Sequence, residues 1–412
     1  SIQVTLNGAV GNVVKTVSGS DGTPQLITLA PEDIATLGEG AVQVSASQTD
    51  ENGNISPTSA INSFVIDTID PSVDTITDDQ AGIAFDGQDT VTYTLTFSEA
   101  VQQITEGDLT VTGAESFSVA HPADTDTATV TVTVADGSTD NVSITVNDSI
   151  VDIAGNPLIE AVDGSQTVDT VNPSTVGAPT VSDAVISDAD DGSTLTVSFS
   201  FDEAMDQADP LPTVTFDPAV ASTLTSQTGR WTDAQTYVVE ATVADDGVDA
   251  NAVTIDITGA RDVAGNAQEG HTAEVGLEVD TENPVTVTYS SSIVAPNLAD
   301  GVASDADSVV AYTVDFSEPV SGIDVNGGDD IQVDGGSVVP GTVSLSNDGL
   351  QATFDVQAFD NSVADLVVTV TDRVKDLNGN SLVESSSTPV SVDTVNPSTV
   401  EFYDAQDVID AA

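Results

Sequence analysis

Asp67-Thr68-Ile69-Asp70-Pro71 closes the first stretch of strand residues that ends on a proline, Phe64-Val65-Ile66, and the same five-residue ending returns three times. The later copies are Asp169-Thr170-Val171-Asn172-Pro173, Asp280-Thr281-Glu282-Asn283-Pro284 and Asp393-Thr394-Val395-Asn396-Pro397. Proline lacks the N–H that a sheet ladder needs, so a strand stops there. Successive prolines stand 102, 111 and 113 residues apart, the size of one small β-sandwich domain. The stretch therefore reads as a junction. It divides the chain into a partial domain at 1–71, complete domains at 72–173, 174–284 and 285–397, and the start of a further unit or tail at 398–412. The first repeat reads as the later part of a domain whose N-terminal strands lie upstream, and the chain as a piece of a longer array.

Outward from the junctions, apolar and polar residues alternate in short runs. Val91, Tyr93, Leu95 and Phe97 alternate with threonines, as do Ala128, Val130, Val132 and Val134, and then Val142, Ile144 and Val146. Period-two alternation places one set of side chains on one face of a strand. Leu195, Val197, Phe199 and Phe201, and Val310, Tyr312, Val314 and Phe316, repeat the first run in the next two repeats. Turn-rich segments separate the runs. The expected fold class is all-β, with antiparallel sandwiches in tandem; Ala30 to Leu37 fits one helical turn.

Charge dominates the composition: 68 Asp plus Glu against 5 Lys plus Arg, a formal net charge of −63. Residues 72–173 hold 18 acids and no Lys or Arg. Self-repulsion on this scale opposes a compact state unless counter-ions relieve it. Nucleic acid and anionic membrane are excluded as partners because both demand basic footprints. Without cysteine there are no disulfides or thiolate metal sites, which fits a bacterial surface protein better than a small disulfide-stapled domain. No apolar run is long enough for a membrane-spanning helix.

Three acidic motifs recur in register. A strand-end acid appears at Glu99, Glu203 and Glu318; an Asp-rich turn follows the fifth strand at Asp136 and Asp140, at Asp245 and Asp249, and at Asp360 and Asp365. A loop of the form Asp-x-x-Gly-Asn runs Asp50 to Asn54, Asp152 to Asn156, Asp262 to Asn266 and Asp376 to Asn380. In a seven-stranded sandwich the strand-end acid and the Asp-x-x-Gly-Asn loop share the pole where the first strand begins, and the Asp-rich turn lies at the opposite pole. Domains joined end to end bring the turn acids of one, the junction, and the strand-end Glu and loop Asp of the next to one place. The expected ligands are Asp67, Asp70, Glu99, Asp136, Asp140, Asp152, Asp169, Asn172, Glu203, Asp245, Asp249, Asp262, Asp280, Asn283, Glu318, Asp360, Asp365, Asp376 and Asp393. Six to eight oxygens at about 2.3–2.6 Å suit Ca²⁺, and Mg²⁺ fits worse because it wants a tighter octahedron. Two plainer readings stand beside this one: Asp, Asn and Gly form turns, and acids coat the surface of proteins in saline media.

With these residues laid out, the chain resembles the bacterial immunoglobulin-like extender repeats of large RTX-type, type I-secreted surface adhesins. The resemblance rests on the Asp-Thr-x-Asp/Asn-Pro endings, the Phe-Ser-Glu-Ala/Pro and Phe-Asp-Glu-Ala strand ends, and the Asp-x-x-Gly-Asn loops, and it covers essentially the whole chain. It implies immunoglobulin-like sandwiches strung as a rod, with Ca²⁺ stiffening the linkers to project a distal binding domain from the cell. The expected partners are calcium ions and the neighbouring repeats, in a monomer outside the cell.

An enzyme is disfavoured. The only histidines, His121 and His271, lie in different repeats, too few for a triad or an imidazole zinc site. Trp231, the lone Trp, reads as packing. The alternatives kept are carbohydrate-binding modules and accessory modules of a secreted polysaccharide-acting enzyme or surface-layer protein.

Overall fold

A computed structural model of the chain describes residues 1–19, 22–88, 90–208, 210–293 and 302–398; the expected further unit at 398–412 lies almost wholly outside them. The chain forms two compact bodies, Ser1–Asn172 with Ala264–Asn266, and Pro173–Val263 with Ala267–Ala412.

In the first body, strands β1 (Ile2–Asn7), β2 (Asn12–Val17), β3 (Gly40–Gln48) and β4 (Asn62–Ile66) make one antiparallel sheet in the order β2-β1-β3-β4. Helix α1 (Pro31–Leu37) occupies the place where one helical turn fits the sequence. Pro31 starts it, the Asp33 carboxylate accepts the Ala30 N–H at 2.8 Å, and Gly38 ends it at φ +74°. Its fully buried Leu37 packs with Leu6, Val13, Val42 and Ile66 in a small core.

The rest of this body is a two-sheet sandwich. Strands β5 (Val73–Asp78), β6 (Thr90–Val101), β7 (Leu109–Thr112), β8 (Ala114–Ala120), β9 (Thr125–Val134), β10 (Val142–Val146) and β11 (Val162–Gln166) form sheets β5-β6-β9-β8 and β11-β10-β7. The alternating apolar residues meet between the sheets: Val91, Tyr93, Leu95, Phe97, Val130, Val132, Val142 and Ile144 are all at most 2% exposed.

The second body holds two more sandwiches around separate cores, one from Ile186 to Val279 and one from Ala303 to Val392. In the first, Thr194–Ser200 pairs with Thr236–Val243, facing a sheet of Thr213–Asp217, Asp249–Thr258 and Glu274–Asp280. In the second, Val309–Phe316 pairs with Gln351–Ala358. All three sandwiches share one detail beside the junction. A short segment runs parallel to the last strand just before the junction Asp: Ala84 beside Val168, Val185–Ile186 beside Glu278 and Val279, and Ala303–Ser304 beside Val392 and Asp393. The last strand is thereby held up to the junction Asp.

Two positions differ from the sequence reading. Glu99 lies inside β6, two residues before its end. Asp249 heads the strand Asp249–Thr258, where the ladder places it opposite Asp280.

Candidate metal centre

The Asp-x-x-Gly-Asn loop is a carboxylate holder. In the second repeat Asp152 Oδ1 accepts the N–H groups of Gly155 (2.6 Å) and Asn156 (2.9 Å), and its Oδ2 accepts the Asn156 amide at 2.7 Å. In the fourth, Asp376 Oδ1 accepts the N–H groups of Asn378, Gly379 and Asn380 at 2.8, 2.6 and 2.9 Å, and Oδ2 accepts the Asn380 amide at 2.8 Å. The glycine turns the chain back at φ +100° for Gly155 and +99° for Gly379, a region that favours glycine. Burial pushes the Asp152 carboxyl up, but the Asn156, Gly155 and Ala154 hydrogen bonds outweigh it, so the net shift is downward. The loop thus fixes an ionised carboxylate in a fully buried position.

The loop asparagine does a second job. Its amide also donates to the main-chain oxygen of the junction Asp: Asn156 to Asp67 (3.2 Å), Asn266 to Asp169 (2.9 Å) and Asn380 to Asp280 (2.8 Å). In the second and fourth repeats one side chain therefore ties the holder to the junction.

The junction itself is pinned at both ends. The Thr281 hydroxyl accepts the Val248 N–H at 3.1 Å, and the Thr281 N–H donates to the Val248 oxygen. Thr170 and Thr394 grip Ser138 and Ser362 in the same way, at 2.9 and 2.8 Å, while Thr68 is held by Glu39. Past the proline, the N–H of Ser72, Ser174 and Val285 donates to Ser98, Asp202 and Ser317. These acceptors precede Glu99, Glu203 and Glu318, so the Phe-Ser/Asp-Glu signature anchors the junction exit and sets the Glu beside it.

The result is a convergence of carboxylates. Asp67, Glu99 and Asp152 each offer an oxygen within 4.8 Å of the others, and so do Asp280, Glu318 and Asp376. Unit charges that close repel by about 3 kcal/mol per pair at an effective dielectric constant of about 20. Around Glu99, burial followed by the charges of Asp67, Asp152 and Glu39 raises the carboxyl above its ordinary range. In the second body the effect is larger. Burial, then Asp280, Asp376, Glu282 and Asp249, push Glu318 up to about 7. Burial, opposed by the Glu282 N–H and reinforced by Asp376, Asp249 and Glu278, pushes Asp280 up to about 6. The Glu318 Oε1 atom is buried without a hydrogen-bond partner among the described residues, and a cavity of about 240 Å³ opens between Glu318, Asp280, Asp376, Asp249, Asn251 and Asn378.

The remaining expected ligands fall into three sets, with Asp393 apart. Asp169 is half-buried at its junction, with Glu203 half-buried and Asp262 buried in the equivalent positions of the third repeat. Asp136, Asp140, Asp245, Asp360 and Asp365 are exposed in the turns after the fifth strand and are not members of the two carboxylate groups above. Of the second junction oxygens, Asp70 is exposed, Asn172 has a buried Oδ1 with no hydrogen-bond partner among the described residues, and Asn283 donates its amide to Ser381 and Asp188. Asp393 is exposed and accepts the Val395 N–H at 3.1 Å. Besides Glu39, Glu278 and Glu282, a further acid not anticipated from sequence is Asp188, raised by burial and by Asp245 and Asp376, whose Oδ1 is buried and has no partner among the described residues. Nothing but a repeat-by-repeat alignment of the segment before the second strand could have marked it. Trp231 packs against Phe201 and Tyr237 at 5.6 and 5.0 Å between ring centroids, and His121 accepts the Ile104 N–H at 3.1 Å.

Residues 67–174 and 280–394 each match a family model described as a bacterial Ig-like domain, together more than half of the chain. The chain belongs to the bacterial Ig-like domains. Both matches begin at a junction Asp and end beside the next junction, so the family's own repeat coincides with the spacing of the prolines. No curated protein matches the chain significantly. Among solved structures the bacterial Ig-like chain is similar to one described as a Ca²⁺-stabilized adhesin that helps an Antarctic bacterium reach out and bind ice. That pair shares 21% identity over 95% of this chain and 90% of that one, with a TM-score of 0.37. It is also similar to a tetra-tandem repeat in the extending region of a large adhesion protein, at 18% identity, 95% and 91% coverage and a TM-score of 0.29. Scores this low add nothing to the domain matches.

Proposed function

We propose that this chain is a calcium-rigidified extender segment of a bacterial surface adhesin, a non-catalytic stalk that holds a distal binding domain away from the cell. The observation that carries the reading is the convergence of a junction Asp, a strand-end Glu and a loop Asp, at equivalent positions of the repeat, in a chain with almost no cations. The donor set is all oxygen, which selects a hard cation over zinc or copper. Oxygens on opposite sides of one Ca²⁺ stand about 4.6–5.2 Å apart, twice the usual Ca–O distance, so a separation of up to 4.8 Å lets one ion touch all three. Asp67, Glu99 and Asp152 would hold one ion, and Asp280, Glu318 and Asp376 another; Asp169, Glu203 and Asp262 occupy the equivalent positions.

A bound Ca²⁺ supplies the positive charge that the chain lacks. The protein's part is to present preset oxygens: the loop N–H groups and the loop Asn orient one carboxylate and one junction carbonyl, while Thr and Ser/Asp hold the linker ends. The hinge residues then have little freedom left. Binding to the folded state alone adds stability by mass action, and an affinity of about 10⁻⁴–10⁻³ M is expected for an extracellular module. The ultimate placement is outside the cell, reached by type I secretion.

Small-angle scattering of the chain tests the stalk. Each repeat should span on the order of 40 Å from strands rising about 3.3 Å per residue. Excess EGTA should give a flexible string and millimolar Ca²⁺ a rod, with Mg²⁺ ineffective at equal ionic strength. An unchanged profile would leave the acids as surface charge alone.

A further inference from the structure

The chain contains four Asn–Gly pairs, Asn7–Gly8, Asn52–Gly53, Asn326–Gly327 and Asn378–Gly379, and their surroundings differ sharply. An asparagine followed by glycine is chemically self-reactive. The glycine nitrogen attacks Cγ of the asparagine, a five-membered imide forms, the Cγ–Nδ2 bond breaks, and ammonia leaves with the proton lost from the glycine nitrogen. Water then opens either imide carbonyl, leaving aspartate or isoaspartate. The ring closes only if the asparagine side chain can swing over the next nitrogen and the glycine has room to turn.

Three of the pairs are restrained. A Cβ at Gly8 would lie 2.2 Å from the Leu37 oxygen, so that backbone is pressed against α1, and its N–H is engaged by Gly11 at 3.0 Å. At Gly327 a Cβ would meet Val338 at 2.9 Å, and the N–H is held by Asp324 at 2.8 Å. At Gly379 the N–H is held by the Asp376 carboxylate at 2.6 Å, the carbonyl by Lys375 at 2.8 Å, and the Asn378 amide by Glu278 at 2.8 Å. The fourth pair is open. Asn52 is exposed and its side chain makes no hydrogen bond among the described residues; Gly53, like Gly379, has nothing within 4 Å of its Cβ position. The attacking nitrogen makes a long bond of 3.2 Å to the Asp50 main-chain oxygen and also faces the Asp50 carboxylate, so what sets this pair apart is the free Asn52 side chain.

We propose that Asn52–Gly53 is a spontaneous modification site, where the folded chain deamidates to aspartate and isoaspartate ahead of its other three Asn–Gly pairs. The consequence is local and specific. Asp50 Oδ1 accepts the N–H groups of Asn52 and Asn54, both at 2.8 Å, and an isoaspartate at 52 routes the backbone through an extra methylene between them. The modification therefore breaks the carboxylate holder of the first repeat and adds a charge beside Asp50 and Glu51. It does not depend on calcium at any junction.

The test is a time course on the intact chain in mildly alkaline H₂¹⁸O buffer, followed by peptide mapping with separation of the isoaspartyl forms. The Asn52 peptide should gain label several-fold faster than the Asn7, Asn326 and Asn378 peptides, with isoaspartate in excess. In a urea-unfolded sample the four rates should converge, since openness of the folded loop sets the order. Asn52→Gln should remove the first acidic species to accumulate. Equal or slower labelling at Asn52 in the folded chain would overturn the proposal, and so would the same rank order in urea.

Discussion

The two carboxylate groups are built from the same motifs and differ in depth. At Asp67, Glu99 and Asp152 only the loop Asp is buried. At Asp280, Glu318 and Asp376 both aspartates are buried, at 7% and 4% exposure, and Asp249 adds a further carboxylate from the facing strand. The shift in Glu318 to about 7 follows from that difference, because desolvation and like charge both penalise the ionised form. The junction that costs more to leave ionised is the one with more to gain from a cation.

The sharpest way to break this comparison is to titrate the metal-free chain. Glu318 and Asp280 have folded-state pKa values of about 7 and about 6, above those of an unfolded chain, so the folded state holds protons that unfolding releases. Their contribution is fully present below about pH 4 and is lost as pH rises through 6 and 7. With EGTA, calorimetry should show the fourth repeat losing about 2–4 kcal/mol between pH 4 and pH 8, after discounting for solvent screening of Glu318. Millimolar Ca²⁺ should flatten that slope, and Glu318→Gln should flatten most of it without metal. A slope unchanged by either would detach the acids from the junction.

Second in size is the effect of glutamate removal on metal affinity. Glu318→Gln should weaken Ca²⁺ at its junction by about tenfold or more, and Glu99→Gln at its own by less, since a shallow site loses a more screened interaction. Calorimetric titration of each variant decides the order, and a larger loss at Glu99 would reverse the comparison.

Smaller still is the asparagine clamp. Asn380 is fully buried and bonds the Asp280 oxygen at 2.8 Å, whereas Asn156 is half-buried and bonds Asp67 at 3.2 Å. Asn380→Ala should cost about 1–3 kcal/mol, as for a buried acceptor left unpaired, and Asn156→Ala distinctly less, in thermal unfolding with EGTA present. Equal costs would mean that depth does not separate the two junctions.

Much of this was legible in the sequence because it is periodic. Strands such as Thr90–Val101 announce themselves by strict alternation, and the repeat of Asp-Thr-x-Asp/Asn-Pro marks where last strands end. The strand-end Glu, the loop Asp and the junction Asp were placed together by pole arguments alone. What stayed hidden are roles in which a polar side chain serves the backbone. Asn156 and Asn380 look like turn formers, and Thr170 and Thr281 like spacers, because their partners are main-chain groups about 30 to 100 residues away. The exposed Asp136 and Asp140 show the converse. Their loop reaches the junction through Ser138 and Thr170, yet both acids face solvent, since the direction of a turn side chain is set by packing that no motif records.

The central claim is that the junction carboxylates hold calcium, and equilibrium dialysis with radioactive Ca²⁺ tests it most directly. The intact chain should be compared with the triple variant Glu99→Gln, Glu203→Gln, Glu318→Gln at matched ionic strength, with circular dichroism confirming that both are folded. The account predicts saturable binding in the unaltered chain and loss of the junction ions in the variant. Equal stoichiometry and affinity in the two proteins would contradict it.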